Sequence, residues 1–293
     1  MIKNIKNKTF LTLLLVVLMQ PLYATTEKIA YLSYHDYFWQ LWVMQPDGTN
    51  KDQVTHSKSD KVRLSWYPDG IHMLLNDNNG QVTKINIVTK KETRIEFPIR
   101  GTLDAVISPD GEYIAFSLSV ADSIDNNHIW LVNKEGKQLK KLTNMPGLQH
   151  EPSWSPDMSW IYFLSGVGDQ SHDIWRVSVE GDRIEKITDN QLYNFDIALS
   201  QNNTMAFSSN RSGNYDIWIR DGLKKPQQLT QHNGMDSRPS WSHDGSKLVF
   251  ESSRNGAMNI FKLDINEGSI SALTNEIIGA RYPVWWPLAI GAK

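Results

Sequence analysis

The residue types that carry most enzyme chemistry are either missing from this chain or wrongly spaced. Its 293 residues include no cysteine, which excludes disulfides, a thiolate nucleophile and Cys-ligated zinc. The Gly-x-Ser-x-Gly elbow of serine hydrolases does not occur, and no glycine loop is built to cradle a phosphate. His150-Glu151 opens like a zinc-protease motif, but Pro152 follows and no histidine stands four positions on. His150, His172 and His232 fall in connecting loops. Imidazoles converging from loops would hold a metal ion, yet no partners that would orient ligand rings are apparent, so they read as polar surface. Asp122, Asp125, Asn126 and Asn127, within residues 120–128, are the oxygen donors calcium takes. The glycine and distal glutamate of a calcium loop are absent, and the stretch reads as a solvated turn.

The elements that would position any site come next. The chain is 40% hydrophobic and 21% charged, with a net charge of -2. That composition suits one large core, and it lacks the basic excess of a nucleic-acid-binding protein. Lys3, Lys6 and Lys8 precede an apolar run from Phe10 to Met19. The run is short for a membrane span and has the length of a signal-peptide core. Residues 1–24 are therefore expected to be a signal peptide cleaved near Ala24. Residues 25–293 are expected to be the mature periplasmic chain, without a transmembrane segment. No cysteine follows the run, so bacterial lipidation is excluded.

A repeat organises the rest. Ser65-Trp66-Tyr67-Pro68-Asp69-Gly70 is echoed at Ser108-Pro109-Asp110-Gly111, Trp154-Ser155-Pro156-Asp157 and Trp241-Ser242-His243-Asp244-Gly245. Degraded copies lie at Leu199 to Asn203 and Trp285 to Pro287. The proline position recurs at 68, 109, 156, 201, 243 and 287, a period near 44. Apolar-aromatic pairs (Leu41-Trp42, Ile129-Trp130, Ile174-Trp175, Ile217-Trp218, Ile260-Phe261) run in step. So do Val54-Thr55, Leu142-Thr143, Ile187-Thr188, Leu229-Thr230 and Leu273-Thr274. Each period holds four short apolar runs separated by turn residues, the signature of a propeller blade.

The ends are complementary. Ile29 to Ser33, Leu41 to Gln45 and Lys51 to Thr55 supply three strands of a blade without its inner strand. Tyr282 to Pro287 is an inner strand with nothing after it. The expectation is an all-β, six-bladed propeller of four-stranded antiparallel blades, whose first blade is closed by the two ends of the chain. Eight of the eleven tryptophans sit on two repeat positions, where a large ring fills the wedge between blades. Asp173, Asp216 and Asn259 recur before the apolar-aromatic pairs and are expected to tie hairpin loops, with Arg211 and Arg254 as partners.

Aligning the inner strands three residues before the tryptophan gives Arg63, Asp104, Glu151, Asp196, Arg238 and Tyr282. Three acids on consecutive blades, with an arginine on each side, are expected at the mouth of the channel. The simplest pairing is Arg63 with Asp104 and Arg238 with Asp196, leaving Glu151 to a protonated His150. An uncompensated arc of acids would accept a basic side chain from a partner, or a cation such as calcium. His150 and Arg281, chain neighbours of Glu151 and Tyr282, complete the candidate partner-binding set. No resident cofactor and no catalytic residue are expected.

The wording of the repeats resembles the TolB-type propeller family. Pro152 to Asp157, Ser209 to Trp218 and Pro239 to Ser253 carry its Pro-Ser-Trp-Ser-Pro-Asp-Gly and Ser-x-Arg-x-Gly-x-x-Asp-Ile-Trp phrases. The resemblance implies a periplasmic interaction module or scaffold of the cell envelope, with a peptidoglycan-associated lipoprotein as the partner of its best-known member. It also implies a preceding α/β domain; here the first strand at Ile29 follows the expected cleavage site within about five residues, so a propeller-only relative is expected. Because related repeats occur in lyases, the competing expectation is a metal-dependent lyase, or a binding protein, for an acidic oligosaccharide at the channel mouth.

Overall fold

The computed structural model describes residues 27–118, 127–166, 172–188, 192–222 and 224–286. Residues 1–24 and most of the 120–128 stretch lie outside the described residues. Among those described, 24 strands form six four-stranded antiparallel sheets. Blade one runs β24 (Ala280–Trp285), β1 (Ile29–His35), β2 (Phe38–Met44), β3 (Asp52–Gln53), the inner strand coming from the far end of the chain. β1 (Ile29–His35) pairs with β24 (Ala280–Trp285), so the two ends close the ring. The other inner strands are β4 (Lys61–Trp66), β8 (Thr102–Ile107), β12 (Leu148–Trp154), β16 (Asn194–Leu199) and β20 (Asp236–Trp241). Among the described residues no helix is long and apolar enough to cross a membrane.

The repeated residues build the blades by three local devices. In the Ser-x-Asp turns, Ser108, Ser155 and Ser242 donate to Asp110, Asp157 and Asp244. Each hydroxyl accepts the N–H that starts the next strand, from Tyr113, Trp160 and Lys247. The recurring threonines Thr55, Thr143, Thr188, Thr230 and Thr274 each accept a third-strand N–H, at 2.8–2.9 Å, and so fasten the outer edge. The inner-strand tryptophans stitch blade to blade. The indole N–H groups of Trp66, Trp154 and Trp241 donate to the carbonyls of Val284, Val106 and Ala198 on the preceding inner strand. Between blades the core is filled from the second strands by buried Phe116, Phe163, Phe207 and Phe250.

One loop expectation is corrected. Asp173 and Asn259 do tie their hairpins, but through Thr188 and Thr274, and Asp216 does so through Ser212 and Gln228. Arg254 instead pairs with the fully buried Asp236 at 2.9 Å, and Arg211 donates to Asn194. Both arginines thus anchor the first residue of an inner strand. A guanidinium is long enough to span from the hairpin back to that strand and satisfy a buried acceptor there.

Candidate functional site: the ring across the channel

Five of the six aligned inner-strand residues sit in the left-handed region of backbone space. Asp104, Glu151, Asp196, Arg238 and Tyr282 have φ between 52° and 59°. None is glycine, so each costs of order 1–3 kcal/mol of local strain. At every one of these positions the pairing register of the inner strand with its neighbour shifts. Each is therefore a β-bulge, an extra residue that re-aims a side chain. Arg63 differs: its shift falls one residue earlier, between Lys61 and Arg63. Arg63, Asp196, Arg238 and Tyr282 together line one end of a cavity of ≈ 260 Å³. The same cavity is lined by Trp66, Trp154, Trp241 and Trp285 and by Pro68, Pro109 and Pro156 in the turns that follow the inner strands.

A chain of hydrogen bonds runs around the ring. The backbone N–H of Glu151 donates to Asp104 at 3.3 Å, and that of Asp196 donates to Glu151 at 3.4 Å. The N–H of Arg238 donates to Asp196 at 3.2 Å. Second-strand hydroxyls support two of the acids, Ser117 donating to Asp104 and Ser208 to Asp196. At the equivalent place blade six carries Glu251, which accepts the N–H of Tyr282 at 2.8 Å. Glu251 was not among the sequence-derived candidates because it is on a second strand. Its alignment with Ser117 and Ser208 is the signal that could have found it.

The charges settle differently from the simplest pairing. Arg238 does reach Asp196, at 3.5 Å, but it also reaches Glu251, at 3.4 Å. Arg63 makes no ion pair with Asp104 among the described residues. It spans to blade four and donates to the carbonyl of Pro152 at 3.1 Å. The two guanidiniums lie over the ring of Tyr282, at 4.3 Å for Arg238 and 5.4 Å for Arg63. Burial works against the charge of both arginines. For Arg238, Asp196, Tyr282 and Glu251 outweigh it, and for Arg63, Tyr282, Asp104 and Glu151 do. Both are held charged more firmly than usual.

Glu151 is the exception. Burial, then the carboxylate of Asp196, pushes its pKa up to about 7. His150 lies 3.8 Å away, but burial depresses its pKa to about 4, so near neutrality it is not the counter-cation expected from the sequence. An imidazolium would have to give up its hydration there, and the attraction of Asp104 does not outweigh that loss beside His172 and Arg63. His150 and His172 do come together, their rings 5.3 Å apart and edge to face, beside Tyr193 and Phe195. His232 does not join them; its ring accepts the N–H of Gly234 within its own turn. Among the described residues no three of His, Cys, Asp and Glu are arranged to hold a metal ion. Arg281 shares none of the ring's hydrogen bonds or ion pairs among the described residues; its guanidinium carbon lies over Trp39, 3.5 Å from the ring centroid.

Taken together, the ring sets four carboxyl groups, Asp104, Glu151, Asp196 and Glu251, against two guanidiniums, and ionising Glu151 gives it an excess of negative charge. Such an arrangement focuses negative potential on the mouth and favours a cationic group there.

Residues 23–204 and 199–288 match the TolB beta propeller domain. The Tol-Pal system protein TolB of Nitratidesulfovibrio vulgaris is 32% identical over 152 residues, covering 50% of this chain and 34% of that relative. The chain thus matches about a third of that relative's length. The crystal structure of TolB from Acinetobacter baumannii is similar with a TM-score of 0.79 at 22% identity, covering 90% of this chain and 67% of that one. A putative TolB from Agrobacterium tumefaciens gives 0.70 at 21% identity, covering 85% and 89%. At those identities the structures speak to the fold alone, whereas the domain match spans almost every described residue. The chain belongs to the TolB β-propeller family.

Proposed function

We propose that this propeller is an exported, periplasmic protein-interaction module of the cell envelope, working without catalysis, whose partner docks on the channel-mouth face. The observation that carries the reading is the ring of strained bulges. Five non-glycine residues hold left-handed backbone in register around the channel, and each aims a side chain at the same constriction. Strain repeated at one level of every blade but one is what a recognition surface retains and a purely structural strand would lose. The Tol-Pal system named for the curated relatives supports an envelope partner, with a peptidoglycan-associated lipoprotein as the first to try. A basic side chain of that partner enters the acidic arc centred on Glu151. A calcium ion is the other occupant such an arc would accept.

The test replaces Asp104, Glu151 and Asp196 together by their amides, which keeps shape and removes charge. In-cell crosslinking from the mouth face identifies the partner, and its affinity is then measured for both proteins at low salt, with calcium and with chelator. The expected result is a loss of at least about tenfold for the triple amide, shrinking as salt rises. Unchanged affinity in a folded variant removes the acidic arc from the site. A loss seen only when calcium is present assigns the arc to the ion.

A further inference from the structure

The mouth face carries a second feature that the ring does not use. Tyr37 is 85% exposed, Ile277 is 96% exposed and Ile278 is 62% exposed. Tyr37 belongs to the two-residue turn between β1 and β2 (Phe38–Met44), with φ of 52° at Asp36 and 71° at Tyr37. Left-handed backbone at both positions suits Asn-Gly; for a bulky aromatic residue it is strained. A side chain that exposed gains almost nothing from packing in return. Ile277 and Ile278 lie in the connection leading to β24. Gly279, at φ 128°, lets that connection press close: a Cβ there would stand 3.0 Å from the carbonyl of Met258 and 3.7 Å from the ring of Trp39. Gly279 thus brings the connection that carries the isoleucines against Trp39, which lies two residues after Tyr37 in β2, and Tyr34 meets Trp39 edge to face at 5.5 Å.

Arg281 completes the patch. Its guanidinium carbon stands 3.5 Å from the centroid of the Trp39 ring, and it makes no ion pair or side-chain hydrogen bond among the described residues. Burial against these rings works against its charge, and Glu251 offsets that only in part. An arginine pre-stacked on an indole, with its donors open and aromatic and branched side chains around it, is the composition that dominates the buried centre of protein interfaces. The open donors specify the partner's charge, and the exposed isoleucines and tyrosine specify what flanks it.

We infer that Tyr37, Trp39, Ile277, Ile278 and Arg281 form a docking site for a protein segment in which an aspartate or glutamate is flanked by bulky apolar side chains. The inference rests on reading the mouth as the docking face, and it adds a contact of opposite sign to the one at the acidic arc. A partner would engage the face with a basic group over the channel and an acidic-apolar segment over the closing blade.

Three short peptides test it: one with Leu-Asp-Phe at its centre, one with Leu-Asn-Phe and one with Leu-Lys-Phe. Each is titrated to millimolar concentration into the isotope-labelled full chain. The readout is the indole N–H resonance of Trp39, assigned by its loss in Trp39→Phe. The aspartate peptide is expected to shift that resonance, the asparagine peptide to bind about threefold to fivefold more weakly, and the lysine peptide to leave it in place. Arg281→Gln, a change at an exposed residue, should erase the difference between the first two. Equal binding of all three, or no shift with the aspartate peptide, overturns the inference. So does concentration-dependent self-association, or binding to anionic lipid vesicles, that is abolished in Ile277→Ser/Ile278→Ser. If the aspartate peptide fails while the triple amide still loses the crosslinked partner, this inference falls and the docking reading stands. If it binds while the triple amide keeps its partner, the patch stands and the acidic arc falls.

Discussion

Glu151 is a carboxylate placed where its charge is least welcome. The folded chain binds its proton up to about pH 7, while the unfolded chain releases it in the ordinary carboxylate range. Below that range the group is protonated in both states and costs nothing. As pH rises toward neutrality the fold keeps a proton that the unfolded chain has already lost, so stability falls. Burial raises Glu251 as well, which acts in the same direction. The unfolding midpoint is therefore expected to decline between about pH 5 and pH 8. Glu151→Gln should flatten that slope and raise the midpoint at the alkaline end, by a few degrees for a gain of about 1–3 kcal/mol. A midpoint that is unchanged or lower in this variant would mean that the ring stabilises the ionised form. The same substitution should weaken partner binding, because a destabilising charge retained at a constriction is one that a ligand relieves.

At the scale of the element, the unit is the inner strand with its bulge. The blades share three devices: a Ser-x-Asp turn in blades three, four and six, a tryptophan stitched to the blade before in blades two, four and six, and a left-handed residue on every inner strand but that of blade two. The turn between β1 and β2 stores strain of the same kind but displays its side chain outward. Tyr37→Gly should stabilise the protein by about 1 kcal/mol, since glycine removes the left-handed penalty and little packing is lost. Chemical denaturation measures the gain, and the peptide titration should show weaker docking by the same variant. A destabilised Tyr37→Gly would mean that the phenol packs in solution and is not held out for a partner.

At the scale of the whole molecule, closure distributes the stability of the ring over both ends of the chain. Trp286 is buried against the turn of blade two, and Trp66 of that blade donates to Val284. A Cβ on Gly70 would collide with the ring of Trp286, on backbone with φ of +67°. Gly245 occupies the same turn position in blade six with φ of +70° and nothing within 4 Å. Gly245→Ala should cost about 1 kcal/mol for the backbone alone. Gly70→Ala adds the overlap and should cost about 2–4 kcal/mol. The larger loss should appear as a shift of the entire unfolding transition, since an open seam exposes strand edges on two blades. Equal losses in the two variants would mean that the seam contributes nothing beyond its turn.

The architecture was legible in the sequence because it is made of local rules repeated. Turn chemistry, consecutive apolar residues in strands buried on both faces, and a period near 44 each act within a few residues of where they are read. The split of blade one followed from counting, and the six ring positions followed from alignment, since equivalent residues in a closed ring must stand at one height. How those positions interact was decided only by the tertiary structure. Arg63 bypasses Asp104 for a carbonyl of blade four, because a long guanidinium reaches across a channel as easily as to its neighbour. Glu251 enters the ring from a second strand, outside the row that was aligned. His150 loses its charge through burial, which one sequence does not reveal. The patch around Trp39 joins residues near both ends of the chain, Tyr37 with Ile277, and no periodicity links them. Repetition determined the scaffold; convergence of distant side chains, and the solvent they exclude, determined the chemistry.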